Sequence, residues 1–137
     1  MSHTVLIADD ELHLTHILRF KLEQAGLQVL VANDGQEAFQ MAMAHAPHLV
    51  ISDFQMPVMD GFAMCVKLKE TPQTASIPVL MLTARGHKLS PSQLAQTNIA
   101  YMMAKPFSAM ELIDKVMELL THHSDASTSC DNNIRVA

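Results

Sequence analysis

Charged and hydroxyl side chains directly follow four short apolar segments of this chain. "TVLIA" leads into Asp9–Glu11, "HLVIS" into Asp53, "IPVLML" into Thr83, and "IAYMM" is followed closely by Lys105. Carboxylates that are brought together raise one another's pKa unless a cation joins them, and carboxylate oxygens with room for water suit Mg²⁺. A carboxylate beside such an ion can act as the nucleophile in phosphoryl transfer. An ammonium and a hydroxyl group can then stabilise the charge that grows on the phosphoryl oxygens.

Each of these features has a simpler interpretation when it is taken alone. An acidic pair after a strand is often only a helix N-cap with favourable charge. A strand-terminal aspartate is usually a turn residue, and Lys-Pro-Phe is a common loop sequence. Their combination at the ends of four different apolar segments is much more specific, and it favours the chemical interpretation.

These side chains can meet only if the apolar segments form one sheet. Five short segments rich in β-branched or aliphatic residues alternate with longer segments of helical spacing, which predicts five strand–helix units. The predicted strands are Thr4–Ala8, Gln28–Ala32, His48–Ser52, a strand within Ile77–Ala84, and Ile99–Met103. Near-continuous apolar strands of this kind predict a parallel sheet with helices on both faces. Ligands bind such sheets outside the carboxyl ends of the strands, where the polar residues would lie.

Two helix starts are marked by their capping residues. Ser90 precedes Pro91, which predicts an N-cap followed by proline at the first position of a short fourth helix. Ser108 and Glu111 have the spacing of a capping box at the start of the last helix.

The composition indicates a single domain. The chain has 137 residues, of which 49% are hydrophobic and 17% are charged, enough for one core and too apolar for a disordered chain. The net charge of −5 argues against a nucleic-acid-binding surface. No apolar run is long enough for a membrane span or a signal peptide, and Cys65 and Cys130 do not indicate a disulfide framework. We therefore expect a cytoplasmic protein with one domain at 1–123 and a polar, disordered tail at 124–137.

Four stretches of the sequence resemble the receiver domain of two-component response regulators. They are "VLIADDE", "LVISDFQMPVMDGF", "IPVLMLTA" and "AKPF", and the resemblance extends from about Thr4 to His122. It implies an α/β, flavodoxin-like (βα)5 fold, a doubly wound parallel sheet with strand order 2-1-3-4-5.

The resemblance also implies a role for each residue at the predicted rim. Asp53 corresponds to the phosphoacceptor, Lys105 to the residue that holds the phosphoryl group, and Thr83 to the residue that hydrogen-bonds it. The Mg²⁺ ligands would be Asp10, Asp53 and the backbone carbonyl of Gln55, with Asp9 acting mostly through a bound water molecule. The Lys105–Pro106 peptide bond is expected to be cis.

The sequence departs from the family pattern at the position of the usual aromatic switch residue. That position, three residues before the lysine, is Met102, and Tyr101 should point to the opposite face of the strand. The resemblance leaves open whether Met102 moves as a flexible apolar side chain or the switch is weak. Gln55 and Arg85 occupy positions that tune the lifetime of the phosphoryl group in this family. His87, near the same rim, is interpreted as an ordinary polar residue rather than a phosphohistidine.

The leading hypothesis is therefore a stand-alone phosphorylation switch. A sensor histidine kinase or a histidine phosphotransfer domain would donate the phosphoryl group. We do not expect this chain to be an enzyme beyond the self-catalysed transfer of the phosphoryl group to Asp53 and its loss from Asp53. The residues after His122 leave no room for an output domain, so we expect a protein partner at the face formed by helix 4, strand 5 and helix 5. We expect a monomer or weak dimer, with no nucleic acid and no membrane insertion.

Two alternatives belong to other functional classes. A phosphatase of the haloacid-dehalogenase type would need a second acid in its nucleophile motif, and Asp53-Phe54-Gln55 lacks it. An interaction module of the same fold that takes no phosphoryl group is favoured only by the missing aromatic at Met102.

Overall fold

The computed structural model describes the backbone of residues 3–128 and the side chains of residues 3–121. Five strands alternate with five helices, as predicted. The strands are β1 (Thr4–Ala8), β2 (Gln28–Ala32), β3 (Leu49–Asp53), β4 (Val79–Thr83) and β5 (Ile99–Ala104). The helices are α1 (Leu12–Gln24), α2 (Gly35–His45), α3 (Gly61–Glu70), α4 (Pro91–Ala95) and α5 (Ala109–Thr128).

All strand pairs are parallel, and the strand order is β2-β1-β3-β4-β5. This confirms the doubly wound, flavodoxin-like topology. The strand ends are aligned, since Ala8 lies opposite Ser52 and Thr83 lies opposite Ala104. A register irregularity in the β4–β5 pair occurs between Val79 and Leu80, far from the carboxyl ends. The residues that follow the strands are therefore delivered to one rim.

Both faces of the sheet are buried against helices, which explains why the strands are almost continuously apolar. One cluster joins the sheet to α1 and α5 and includes Ile7, Ile51 and Leu112. The other joins the sheet to α2 and α3 and includes Val50 and Met64. Within the described residues, no helix is both long and apolar enough to span a membrane.

The two predicted capping sites are confirmed. The Ser90 hydroxyl accepts a hydrogen bond from the Gln93 backbone N–H at 3.1 Å, and the Gln93 side chain accepts one from the Ser90 N–H at 2.8 Å. Ser108 and Glu111 make the same reciprocal pair at 3.0 Å each. Each box satisfies two backbone donors that the first helical turn cannot pair internally.

The last helix is longer than predicted. The expected domain ends at residue 123, but α5 continues to Thr128. Helix propagation adds one backbone hydrogen bond for each residue that is fixed, so a polar segment can extend a formed helix without an apolar face. The domain boundary at residue 123 and the disordered tail stay predictions, and 129–137, which includes Cys130, lies outside the described residues.

Candidate functional site

Three charged side chains come from the carboxyl ends of β1, β3 and β5 and lie on the same face of the sheet. Asp53 lies two positions after Ile51, which packs in the α1–α5 cluster, and Lys105 lies two after Met103, which packs against it. Side chains alternate along a strand, so both point to the α1–α5 face, as does Asp9. The Lys105 Nζ atom lies 3.0 Å from Asp53 Oδ1. The strand periodicity thus positions an ammonium against the predicted phosphoacceptor.

Three carboxylates form a cluster beside this ion pair. One oxygen from each of Asp9, Asp10 and Asp53 lies within 4.8 Å of the others. Asp9 is only 1% exposed, the Asp53 side chain is 13% exposed, and Asp10 is exposed. Like charges at this spacing repel one another, so the cluster is stable only with protons or a cation.

The buried carboxylate of Asp9 provides a test of whether a cation fits the cluster. Its Oδ1 atom accepts a hydrogen bond from the Glu11 backbone N–H at 2.9 Å. Its Oδ2 atom is buried and has no hydrogen-bond partner. A buried acceptor without a partner calls for an ion or a water molecule. Because hard oxygen ligands at this spacing match a Mg²⁺ ion held partly through water, the residues present fit this ion.

The environment of Asp9 favours its protonated form. Burial is the largest cause and, with the nearby negative charge of Asp53, raises the pKa of Asp9 from 3.8 to about 6, although the Glu11 N–H opposes the shift. A divalent cation would supply the missing positive charge.

Lys105 is a stable ammonium in this site. Partial burial lowers its pKa, but the hydrogen bond and charge of Asp53, with the charges of Asp9 and Glu11, more than offset this effect. The pKa of Lys105 therefore lies above its ordinary value. The side chain remains 34% exposed, so it can reorient toward a ligand at the rim.

Gly61 allows α3 to begin directly against the end of β3. Its N–H donates a 2.7 Å hydrogen bond to the Phe54 carbonyl oxygen. A Cβ atom at this position would collide with the backbone carbonyl oxygen of Asp53. The glycine of "MDG" is thus explained by the close approach of its backbone to that of Asp53.

Thr83 is the last residue of β4, and its position is fixed by pairing with β5. The residue is 3% exposed, and its backbone carbonyl accepts a 2.8 Å hydrogen bond from the Lys105 N–H. Its hydroxyl donates only a long, 3.3 Å bond to the carbonyl of Ala84. This weak bond leaves the hydroxyl available for a stronger acceptor.

The remaining predicted site residues lie in the loops that follow β3, β4 and β5. The Lys105–Pro106 peptide bond is cis, as expected. Gln55 and Arg85 are exposed in the loops after β3 and β4. The role of the Gln55 carbonyl as a metal ligand stays a prediction.

Met102 and Tyr101 occupy opposite faces of β5, as strand alternation predicts. Met102 is half-buried and packs against the α2–α3 cluster opposite Met81. Tyr101 is 40% exposed, and the Lys115 ammonium lies 4.1 Å from its ring centroid. The aromatic ring therefore lies on the α5 side and cannot replace the switch residue at Met102.

One contact near the site was not found from the sequence. The rings of Phe54 and His87 lie with centroids 4.3 Å apart and an interplanar angle of 51°. The contact joins the loops that follow two adjacent strands, β3 and β4. The available signal was that a ring residue follows each of two neighbouring strands. The two residues are far apart along the chain, so the sequence alone did not indicate that they touch.

Comparisons with known proteins agree with this geometry. Residues 5–117 match the response regulator receiver domain family. The chain is 31% identical over 131 residues to the alkaline phosphatase synthesis transcriptional regulatory protein PhoP of Bacillus subtilis (strain 168). This alignment covers 96% of this chain and 54% of PhoP. It is 34% identical over 120 residues to the transcriptional regulatory protein SrrA of Staphylococcus aureus (strain NCTC 8325 / PS 47). This alignment covers 88% of this chain and 48% of SrrA. The chain thus spans about half the length of these relatives.

A solved structure agrees with the sequence comparison. The chemotaxis response regulator CheY4 of Vibrio cholerae superposes with a TM-score of 0.79 at 28% identity, covering 87% of this chain and 99% of that chain. Residues 5–117 include every strand except the first residue of β1, and every residue of the rim described above. The chain therefore belongs to the response regulator receiver domain family, whose members are phosphorylation-based signalling domains of two-component systems.

Proposed function

We propose that this receiver domain accepts a phosphoryl group on Asp53 from the phosphohistidine of a sensor histidine kinase or phosphotransfer domain. The observation that carries the proposal is the 3.0 Å pairing of Asp53 with Lys105 beside a carboxylate cluster. A purely structural ion pair would not need two further acids within 4.8 Å. A bound cation would relieve the mutual repulsion of these acids and, with Lys105, would attract an anionic phosphoryl group.

The transfer is a displacement at phosphorus. A carboxylate oxygen of Asp53 forms the new P–O bond as the P–N bond to the donor imidazole breaks, and the imidazole keeps the electron pair and takes up a proton. Lys105 turns from the Asp53 oxygen to the phosphoryl oxygens, and the Thr83 hydroxyl exchanges its long bond to Ala84 for one to the same group. Positioning and charge stabilisation of this kind account for most catalysis of phosphoryl transfer.

Asp9, Asp10, Asp53 and the backbone carbonyl of Gln55 would hold Mg²⁺, with Asp9 acting mostly through water. When bound, the ion neutralises negative charge on the carboxylates and the phosphoryl group. The unpartnered Oδ2 of Asp9 and the spacing of the three acids support this assignment. The chain's own chemistry is confined to transfer onto Asp53 and hydrolysis from it, which does not make it a conventional enzyme.

The output of the switch is proposed to be a change in protein binding at the face formed by α4, β5 and α5. A groove of about 450 Å³ lies between β5 and α5, and its lining includes Tyr101, Phe107 and Lys115. A phosphoryl group adds up to about two negative charges and new acceptors, which can bias the loop after Thr83. Met102 lies in the neighbouring strand, β5, and its flexible apolar side chain would move together with the loop after Thr83.

PhoP and SrrA are named transcriptional regulatory proteins, but our proposal for this chain concerns only the phosphorylation step and a protein partner. We place this exchange in the cytoplasm, where the kinases of two-component systems present their phosphohistidines. A monomer or a weak dimer is sufficient, because every site residue comes from one chain.

The experiment is intact-mass analysis after incubation with acetyl phosphate or phosphoramidate, with and without Mg²⁺. We expect one phosphoryl adduct on the wild type with Mg²⁺, and none on Asp53→Asn. Asp114→Asn, which removes an exposed carboxylate of α5, is the matched control and should be modified like the wild type. A folded wild type that stays unmodified by both donors would instead favour the phosphorylation-independent interaction module.

A further inference from the structure

The Phe54–His87 contact connects the two loops that flank the proposed phosphorylation site. Phe54 directly follows Asp53 and is half-buried, and its ring packs against the α2–α3 cluster, which restrains it. His87 is exposed and lies four positions after Thr83. The 4.3 Å ring contact therefore joins a solvent-exposed loop to a residue that packs against the core beside Asp53.

The backbone after Thr83 folds back in a tight turn that makes this contact possible. The His87 N–H donates a 3.1 Å hydrogen bond to the Ala84 carbonyl oxygen, and Gly86 has a φ of +84°. Such a φ at the third position is typical of a type II turn and favours glycine. Arg85 occupies the second position, at the exposed tip of the turn.

Few other interactions fix the orientation of this turn. Among the described residues, Arg85, His87 and Lys88 make no side-chain hydrogen bond and no ion pair. Among hydrogen bonds, ion pairs and ring contacts, the contact of the His87 ring with Phe54 is the one tertiary interaction found in the described structure for the exposed side chains of 85–88. Its loss would free the turn to move away from β3.

We infer that His87 is a positioning residue, which holds the Ala84–His87 turn against Phe54 and prolongs the lifetime of the phosphoryl group on Asp53. This inference rests on the proposed function. A held turn would keep Arg85, two residues after Thr83, near the rim, where its guanidinium could pair with phosphoryl oxygens, and it would limit the approach of water. In hydrolysis, water forms a P–O bond, the bond from phosphorus to Asp53 breaks, and inorganic phosphate leaves with the carboxylate restored.

The size of the expected effect follows from the strength of aromatic pairs. Such a contact biases an equilibrium between held and released loop by about two- to twelvefold. If hydrolysis proceeds mainly from the released loop, the hydrolysis rate rises by a similar factor when the contact is removed.

The test is the rate of phosphoryl loss from the protein after removal of the phosphodonor, followed by intact mass with Mg²⁺ present. His87→Ala should accelerate loss about two- to twelvefold, and His87→Phe, which keeps a ring, should restore a rate near that of the wild type. Phe54→Leu should act like His87→Ala, and the double variant should be no faster than either single variant. Lys88→Ala, an exposed neighbour without a ring contact, is the matched control and should leave the rate unchanged.

Several results would overturn the inference. They are an unchanged rate in His87→Ala, a rate in His87→Phe as fast as in His87→Ala, and additive effects of His87→Ala and Phe54→Leu. A restored rate in His87→Phe indicates a positioning role, because phenylalanine supplies a ring but cannot supply the chemistry of the imidazole.

A second measurement keeps this inference distinct from the proposed function. In the unphosphorylated protein, the NMR signals of the His87 ring should shift when Phe54→Leu removes the neighbouring ring current. No shift would overturn the positioning role even if Asp53 is phosphorylated. A shift in a protein that takes no phosphoryl group would show the contact, while the proposed function and the lifetime role would both be wrong.

Discussion

Replacement of Asp9 by asparagine is expected to stabilise the fold while it weakens the cation site. Asp9 is 1% exposed, and burial, assisted by the charge of Asp53, raises its pKa from 3.8 to about 6. A difference of about two pKa units corresponds to about 3 kcal/mol of destabilisation once the group is ionised, since one unit is about 1.4 kcal/mol. The Asp9→Asn variant keeps the oxygen that accepts from the Glu11 N–H and removes the charge.

The net gain is smaller than this electrostatic term. The new amide group has no evident partner at the position of Oδ2, and an unpaired buried polar group costs about 1–2 kcal/mol. We therefore expect Asp9→Asn to increase the free energy of unfolding by about 1–2 kcal/mol at about pH 7 without divalent cations.

The sign of the pH dependence follows from the direction of the shift. The native state holds the Asp9 proton more tightly than the unfolded state, so the destabilisation is absent below about pH 4 and is fully present above about pH 6. The advantage of Asp9→Asn should therefore shrink as the pH falls through this window. Mg²⁺ should stabilise the wild type much more than the variant, because binding to the native state alone raises its stability.

The assay is urea unfolding followed by circular dichroism, in EDTA and in Mg²⁺, across this pH range. Asp114→Asn serves as the control for loss of an exposed carboxylate and should change stability little. The reasoning would be refuted if Asp9→Asn were less stable than the wild type in EDTA at about pH 7, or if its advantage did not depend on pH.

Three further changes test other parts of the site and fold. Lys105→Gln removes the ammonium 3.0 Å from Asp53 and should slow modification by acetyl phosphate at least about tenfold, measured as the initial rate by intact mass; an unchanged rate would contradict the role of Lys105. Gly61→Ala should lower the free energy of unfolding by at least about 2 kcal/mol in urea, because its Cβ collides with the Asp53 backbone, and a neutral effect would contradict that close approach. Ser108→Ala breaks the capping box of α5 and should cost about 1 kcal/mol, with faster amide hydrogen exchange in the first turn of the helix.

Much of the framework could be predicted from the sequence, for reasons that are local or periodic. The β-branched and aliphatic runs alternate with helical spacing, so the five strand–helix units were evident without a structure. The rim positions of Asp9, Asp53 and Lys105 followed because parallel strands bring their carboxyl ends to one edge. The caps at Ser90 and Ser108 depend only on residues three positions apart. The strand order and the residue roles came from the resemblance to receiver domains.

Tertiary structure alone decided how these residues act on one another. The 3.0 Å pairing of Lys105 with Asp53, the unpartnered Oδ2 atom of Asp9 and the raised pKa of that carboxylate depend on burial and on distances between different strands. The Phe54–His87 contact depends on a turn that folds the chain back over a neighbouring loop. Sequence patterns place residues along each element, but the interaction between charges or rings depends on their separation and solvent exposure after the elements pack.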